Sequence, residues 1–195
     1  MIKVIAFDYA GVVSPKGPII QWMKKHLPEN HEKVHLFKEH AHKWDKGEIG
    51  LNDYYQIASL ITGVNADSIW ETFFEETFLH SDVVELINKL KKNYKIFLFS
   101  NYCGELLWKL LKKHQVSNLF DEVIISSEHK LEKPDPKLFA ILKNISGVNK
   151  NEIIFIDDQK ENVDGSNNFG IKAIQFLSAE QLIKDLKTEG VKISR

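Results

Sequence analysis

A chain of 195 residues holds one full domain and a small insertion, and is too short for two domains of ordinary size. Hydrophobic residues at 43% and charged residues at 27% are an ordinary globular mixture. The formal charge of -1 offers no field for nucleic acid or an acidic membrane surface, and the longest apolar runs fall far short of a bilayer span.

The N-terminus, MIKVIAFDYAGVV, lacks a basic region ahead of a removable apolar stretch and reads as a folded strand rather than a leader. Lys3–Phe7 (KVIAF) is a short apolar run ending on an acid, as buried parallel strands do when they feed a functional loop. From Ser14 to Leu79 no strand is convincing. Helices are expected there around Ile19–His26, His31–Lys46, Asn52–Ile61 and Asp67–Phe78. Asp82–Lys92 has helical apolar spacing, an acidic start and a basic end, which suit the helix dipole. Strand-like runs follow at Lys95–Phe99, Glu122–Ile125, Ile153–Ile156 and, more weakly, Lys172–Phe176. Helices are expected over Glu105–His114, Pro136–Ile145 and Glu161–Phe169, the last closed by Gly170. This alternation predicts an α/β fold: a Rossmann-like parallel sheet with helices on both faces. The helical span reads as a cap over the sheet's C-terminal edge, so residues 1–13 and 80–195 form the core and 14–79 the insertion.

Ligands of open parallel sheets bind beyond the carboxyl ends of the strands. There the first strand delivers Asp8, the second Ser100 and Asn101, and the fourth Asp157 and Asp158, while Lys133 lies in the loop after the third. A carboxylate such as Asp8 can attack phosphorus and form an aspartyl-phosphate. Its charge opposes an anionic phosphate, so a divalent cation is needed. Asp8, Asp157 and Asp158 make a hard-oxygen set suited to Mg²⁺. Ser100 offers a hydroxyl, the loop at Asn101 a backbone N–H, and Lys133 a positive charge. Singly, each has a plainer explanation, such as a helix cap or a proline-stiffened turn. Four such elements in order at strand ends make coincidence a poor account.

These segments resemble the four motifs of the haloacid dehalogenase (HAD) superfamily: FDYAGVV, FLFSN, EKPDPKLF and IIFIDDQKENVDGSNNFG. The stretch KWDKGEIGLNDYY resembles the subgroup holding glucose-1-phosphate phosphatase-like enzymes and the N-terminal phosphatase domain of soluble epoxide hydrolases. The resemblance implies a hydrolase with Mg²⁺ as cofactor and a small phosphorylated metabolite as substrate. Asp8 would be nucleophile and metal ligand, the Ala10 carbonyl a second ligand, and Asp158 a direct ligand. Asp157 would hold a metal-bound water or Lys133, and Ser100, Asn101 and Lys133 would hold the phosphate.

Most phosphatases of this superfamily carry a second Asp two residues after the nucleophile, which protonates the leaving group and then activates water. Ala10 stands there and can do neither. General acid–base help is worth about 10²–10⁴-fold. Three explanations stay open: the subgroup tolerates a small residue, a cap residue or the substrate supplies the proton, or the chain only binds a phosphorylated ligand. Phosphonoacetaldehyde hydrolase also resembles this motif, with Ala at the same place and a cap lysine that forms a Schiff base; Lys43 and Lys46 are the candidates, though a helix-surface role suits them better. Dehalogenases proper usually lack the full acidic pair of motif four.

The insertion also carries His26, His31, His35, His40 and His42, read as surface residues although any one near the cleft could act as an acid. Trp22, Trp44, Trp70, Phe73, Phe74 and Phe78 read as packing, and the lysines of Lys89–Lys95 and Lys109–Lys113 as solvated faces. Cys103, the single cysteine, fits a reducing cytoplasm and a buried or helix-start thiol. The oligomeric state is left open.

Overall fold

The computed structural model describes residues 1–16 and 31–194. Five parallel strands form one sheet: β1 (Val4–Phe7), β2 (Lys95–Ser100), β3 (Glu122–Ile125), β4 (Ile153–Asp157) and β5 (Lys172–Gln175). Their order is β3-β2-β1-β4-β5, and each lies within one residue of its expected run. Central strands are buried on both faces, so their side chains divide between two cores. Ile5, Phe7, Leu98, Ile154 and Ile156 face one core, while Val4, Ala6, Phe99, Ile153 and Phe155 face the other.

Between β1 and β2 the described residues contain no strand but hold α1 (His31–Asp45), α2 (Leu51–Thr62) and α3 (Ala66–Glu75). The helix expected over Ile19–His26, with Trp22 and His26, lies outside the described residues. α2 and α3 begin and end on local signals: Gly63 closes α2 at φ 76°, and the Asn65 side chain accepts from Asp67 N at the start of α3. Trp44, Tyr54, Tyr55, Ile69 and Phe73 are buried in the same core as Ile5 and Phe7, with Trp70 and Phe74 partly buried against it.

Downstream lie α4 (Ser81–Leu90), α5 (Gly104–Lys113), α6 (Ser126–His129), α7 (Pro136–Ser146), α8 (Lys160–Phe169) and α9 (Ala179–Thr188). Cys103 is buried at the N-cap of α5, and burial pushes its thiol pKa up. Two expectations need correction. α3 stops at Glu75 rather than Phe78, because the Lys113 ammonium takes up the carbonyls of Phe74, Glu75 and Thr77. Phe78 is then 59% exposed and is no part of the packing. Nor is the lysine face wholly solvated: Lys113 serves as that clamp, and Lys91 donates to the carbonyls of Asn118 and Leu119. Among the described residues no helix is long and apolar enough to cross a membrane.

Candidate active site

The sheet order sets β4 beside β1, with Phe7 opposite Ile156, so Asp8 and Asp157 leave the sheet side by side. On the other flank Phe7 pairs with Leu98, which carries Ser100 to the same edge. Asp8 N continues the ladder to Ile156 O at 2.9 Å. Three donors converge on Asp8 Oδ1: Tyr9 N at 2.8 Å, Ser100 Oγ at 2.7 Å and Lys133 Nζ at 3.1 Å.

Lys133 reaches the sheet from the loop after α6. Its backbone is clamped by the Asn101 amide, whose Oδ1 accepts from Lys133 N (2.8 Å) and whose Nδ2 donates to Lys133 O (3.0 Å). That use commits the Asn101 side chain to positioning Lys133. The ammonium is fully buried, 2.7 Å from Asp157 Oδ2 and 3.0 Å from Phe99 O, over the rings of Phe99 and Phe155. Burial opposes its charge, but Asp157 and Asp8 outweigh that and raise its pKa.

Asp157 is almost saturated. Besides Lys133 it accepts from Gln159 N (2.8 Å) and from Asn162 Nδ2 at 3.2 and 3.0 Å. Asp158 is the opposite case. Its Oδ1 is buried with no hydrogen-bond partner among the described residues, and its Oδ2 meets only the exposed Lys16 at 2.6 Å. Oxygens of Asp8, Asp157 and Asp158 all lie within 4.8 Å of one another. Three carboxylates around one buried lysine leave surplus negative charge. Burial first, and then Asp157, push the Asp8 pKa up to about 7 against the pull of Lys133. An orphaned buried oxygen in an all-oxygen donor set fits a hard divalent cation. The direction of the Ala10 carbonyl stays an expectation; its backbone forms a bridge to Ser14.

Sequence reasoning gave no role to Gly11, Asn162 or Asp45. Gly11 has φ 90°, and a Cβ there would stand 2.5 Å from Asp158 Cγ, so the turn after β1 admits Asp158 only with glycine. The sequence shows that glycine three residues past Asp8, but not what approaches it. Asp45 closes α1 near the site, where the charges of Asp8 and Lys133 reach it. Among the described side chains, His35, His40 and His42 do not gather at the carboxylates: His40 Nδ1 meets Leu36 O at 2.7 Å, His42 Nδ1 meets Glu132 at 3.2 Å, and His35 is exposed. Lys43 is exposed and Lys46 pairs with Glu132 at 3.3 Å.

Comparison with known proteins bears on the fold and the family. A Bacteroides thetaiotaomicron HAD family enzyme crystallised with magnesium and inorganic phosphate superposes with a TM-score of 0.74 at 23% identity, covering 90% of this chain and 94% of that one. D-ribitol-5-phosphate phosphatase from the same organism is 22% identical over 90% of this chain and 92% of its own length. (S)-2-haloacid dehalogenase 4A of Burkholderia cepacia is 27% identical over 53% of this chain; the match spans only 45% of that relative's length. The family model for haloacid dehalogenase-like hydrolases matches residues 21–176, most of the chain. With that match and a parallel sheet carrying its acids at adjacent strand ends, this chain belongs to the haloacid dehalogenase-like hydrolases.

Proposed function

We propose that this chain is a magnesium-dependent phosphatase that hydrolyses a small phosphorylated metabolite through an aspartyl-phosphate on Asp8. The observation that carries the reading is the convergence of Asp8, Asp157 and Asp158 with Asp158 Oδ1 left orphaned. Displacement of a halide from carbon has no anionic phosphate to neutralise and gives that oxygen nothing to do. A Schiff base needs a free amine at the site, whereas of the two candidate lysines Lys43 is exposed and Lys46 is paired with Glu132. The phosphatase relative supports a phosphorylated polyol or sugar as the substrate class.

In this reading Asp8 attacks phosphorus in line, and the bond to the leaving oxygen breaks. Ser100, the backbone at Asn101 and Lys133 hold the phosphate oxygens. Asp8, Asp158 and the Ala10 carbonyl would hold Mg²⁺, with Asp157 fixing Lys133 or a water; the cation would offset the charge between carboxylate and phosphate. Residues 14–79 act as the cap that selects the substrate over the core of 1–13 and 80–195. The chain's single cysteine, Cys103, favours a cytoplasmic setting.

With p-nitrophenyl phosphate and Mg²⁺, Asp8→Asn is expected to abolish turnover. Undiminished turnover by that variant would sink the reading. Chloride release from 2-chloropropionate without added metal would instead favour dehalogenation.

A further inference from the structure

Asp158 stands where regular structure stops. β4 ends at Asp157, whose backbone carbonyl accepts from Phe176 N, just past β5, at 2.9 Å. Asp158 comes next, in the bend before α8 and outside both elements. Gln175 faces Asp157 in the β4–β5 register, and its side chain adds one more rung: Gln175 Nε2 donates to Asp158 O at 3.1 Å. Gln175 is itself held. Its carbonyl accepts from Gln181 Nε2 at 3.0 Å, and Gln181 Oε1 accepts from Leu177 N at 2.9 Å, in the turn that opens α9.

β4 lies between β1 and β5, so Asp158 is constrained from both flanks. On the β1 side Gly11 leaves just enough room for its carboxyl, and on the β5 side Gln175 holds its backbone. Oδ2 meets Lys16 at 2.6 Å, and Oδ1 is the oxygen left over. We propose that Gln175 is a positioning residue for the cation site, and that by fixing Asp158 to present one oxygen it makes the site prefer Mg²⁺ to Ca²⁺. The inference rests on the reading of Asp8, Asp157 and Asp158 as a cation site.

The two ions ask different things of a carboxylate. Mg²⁺ demands near-ideal octahedral geometry, with oxygens at about 2.0–2.1 Å. Ca²⁺ accepts about 2.3–2.6 Å, more ligands, and carboxylates that bind through both oxygens. Gln175 does not act on the ion; it acts on where Asp158 stands. Without its donor the bend is free to shift and the carboxyl to turn. The smaller ion then loses its fit, while the larger one follows the carboxyl and gains access to its second oxygen. Partners one shell outside a metal ligand are typically worth about 10–100-fold in metal affinity.

The test is calorimetric titration of the chelator-treated chain with Mg²⁺ alone and with Ca²⁺ alone, in wild type, Gln175→Met and Ser178→Ala. Methionine keeps the length of glutamine and loses the donor. Ser178→Ala removes the N-cap of α9, whose Oγ accepts from Gln181 N at 3.1 Å, and so loosens the same end of the sheet while leaving the Gln175 amide intact. Gln175→Met is expected to weaken Mg²⁺ binding about 10-fold and Ca²⁺ binding less than about 3-fold. Ser178→Ala should leave both affinities within about 2-fold of wild type, since it touches no partner of Asp158.

Equal weakening of both ions by Gln175→Met, or weakening of neither, overturns the role of Gln175 and leaves the Mg²⁺ site standing. So does a loss in Ser178→Ala as large as in Gln175→Met, because affinity would then follow general loosening of the sheet's edge. Gln175→Asn, whose amide falls one carbon short of Asp158 O, should separate the two ions in the same direction, which keeps the test decisive if the methionine variant does not fold. If wild type binds neither ion, the cation reading itself fails and takes this inference with it.

Discussion

The floor of the site and the helices beside it are held by different forces. On the floor, Lys133, Asp8 and Asp157 are paired with one another, and almost every polar atom is matched at 2.7–3.2 Å. Across the insertion, contact runs ring to ring: Tyr9 to Tyr102, then Trp44, Tyr54, Tyr55, Trp70 and Phe74, at centroid separations of 4.3–5.8 Å. Buried ion pairs fix direction and punish the loss of a partner, whereas stacked rings tolerate small shifts at modest cost. The floor is thus built to hold one charge pattern, whereas the aromatic side tolerates small shifts.

Lys133→Met breaks the floor most deeply. It strands Asp8 and Asp157 in a buried site, and urea titration at pH 8 should show a loss of about 3–5 kcal/mol. The loss should shrink as acid protonates the stranded carboxyls; a pH-independent loss below about 1 kcal/mol would show that the floor is not electrostatically held. On the aromatic side, Trp44→Ala should cost about 3 kcal/mol by leaving a cavity beside Tyr54 and Tyr102. Its kinetic signature should be a raised KM with Mg²⁺ affinity unchanged. A fall in Mg²⁺ affinity measured by calorimetry would mean that the two regions are coupled.

Gly11→Ala acts at the floor's edge. Strain at φ 90° and the clash with Asp158 should cost about 1–3 kcal/mol, with Mg²⁺ affinity falling more than stability does. Lys113→Met removes the clamp on the end of α3 and should cost about 1 kcal/mol, read as faster amide exchange at Phe74–Thr77. Unchanged exchange there would refute the clamp.

The five strands were legible because short apolar runs ending on polar residues have few other readings in a chain of this length. The strand-end groups Asp8, Ser100, Asn101, Asp157 and Asp158 followed from the strands. The four-residue helix α6 was not legible, since one turn carries no periodicity. Phe78 misled because helical spacing continues past Glu75, while the residue that ends the helix, Lys113, lies on a different element. Asp45 reads in sequence as one more charged residue of a helix. Only the fold shows that its backbone carbonyl accepts from Ser126 Oγ.

The central position of β1 also bears on how the chain is made. β1 leaves a ribosome long before its sheet neighbour β4, which begins only at Ile153. Until then a nascent chain carries an apolar strand with an open edge, and Asp8 lacks Asp157 as its neighbour. Open apolar edges are the surfaces on which emerging chains stick to one another. A ribosome stalled between Lys133 and Ile153 should therefore expose its chain to aggregation or chaperone capture, and release of β4 into the sheet should end that exposure.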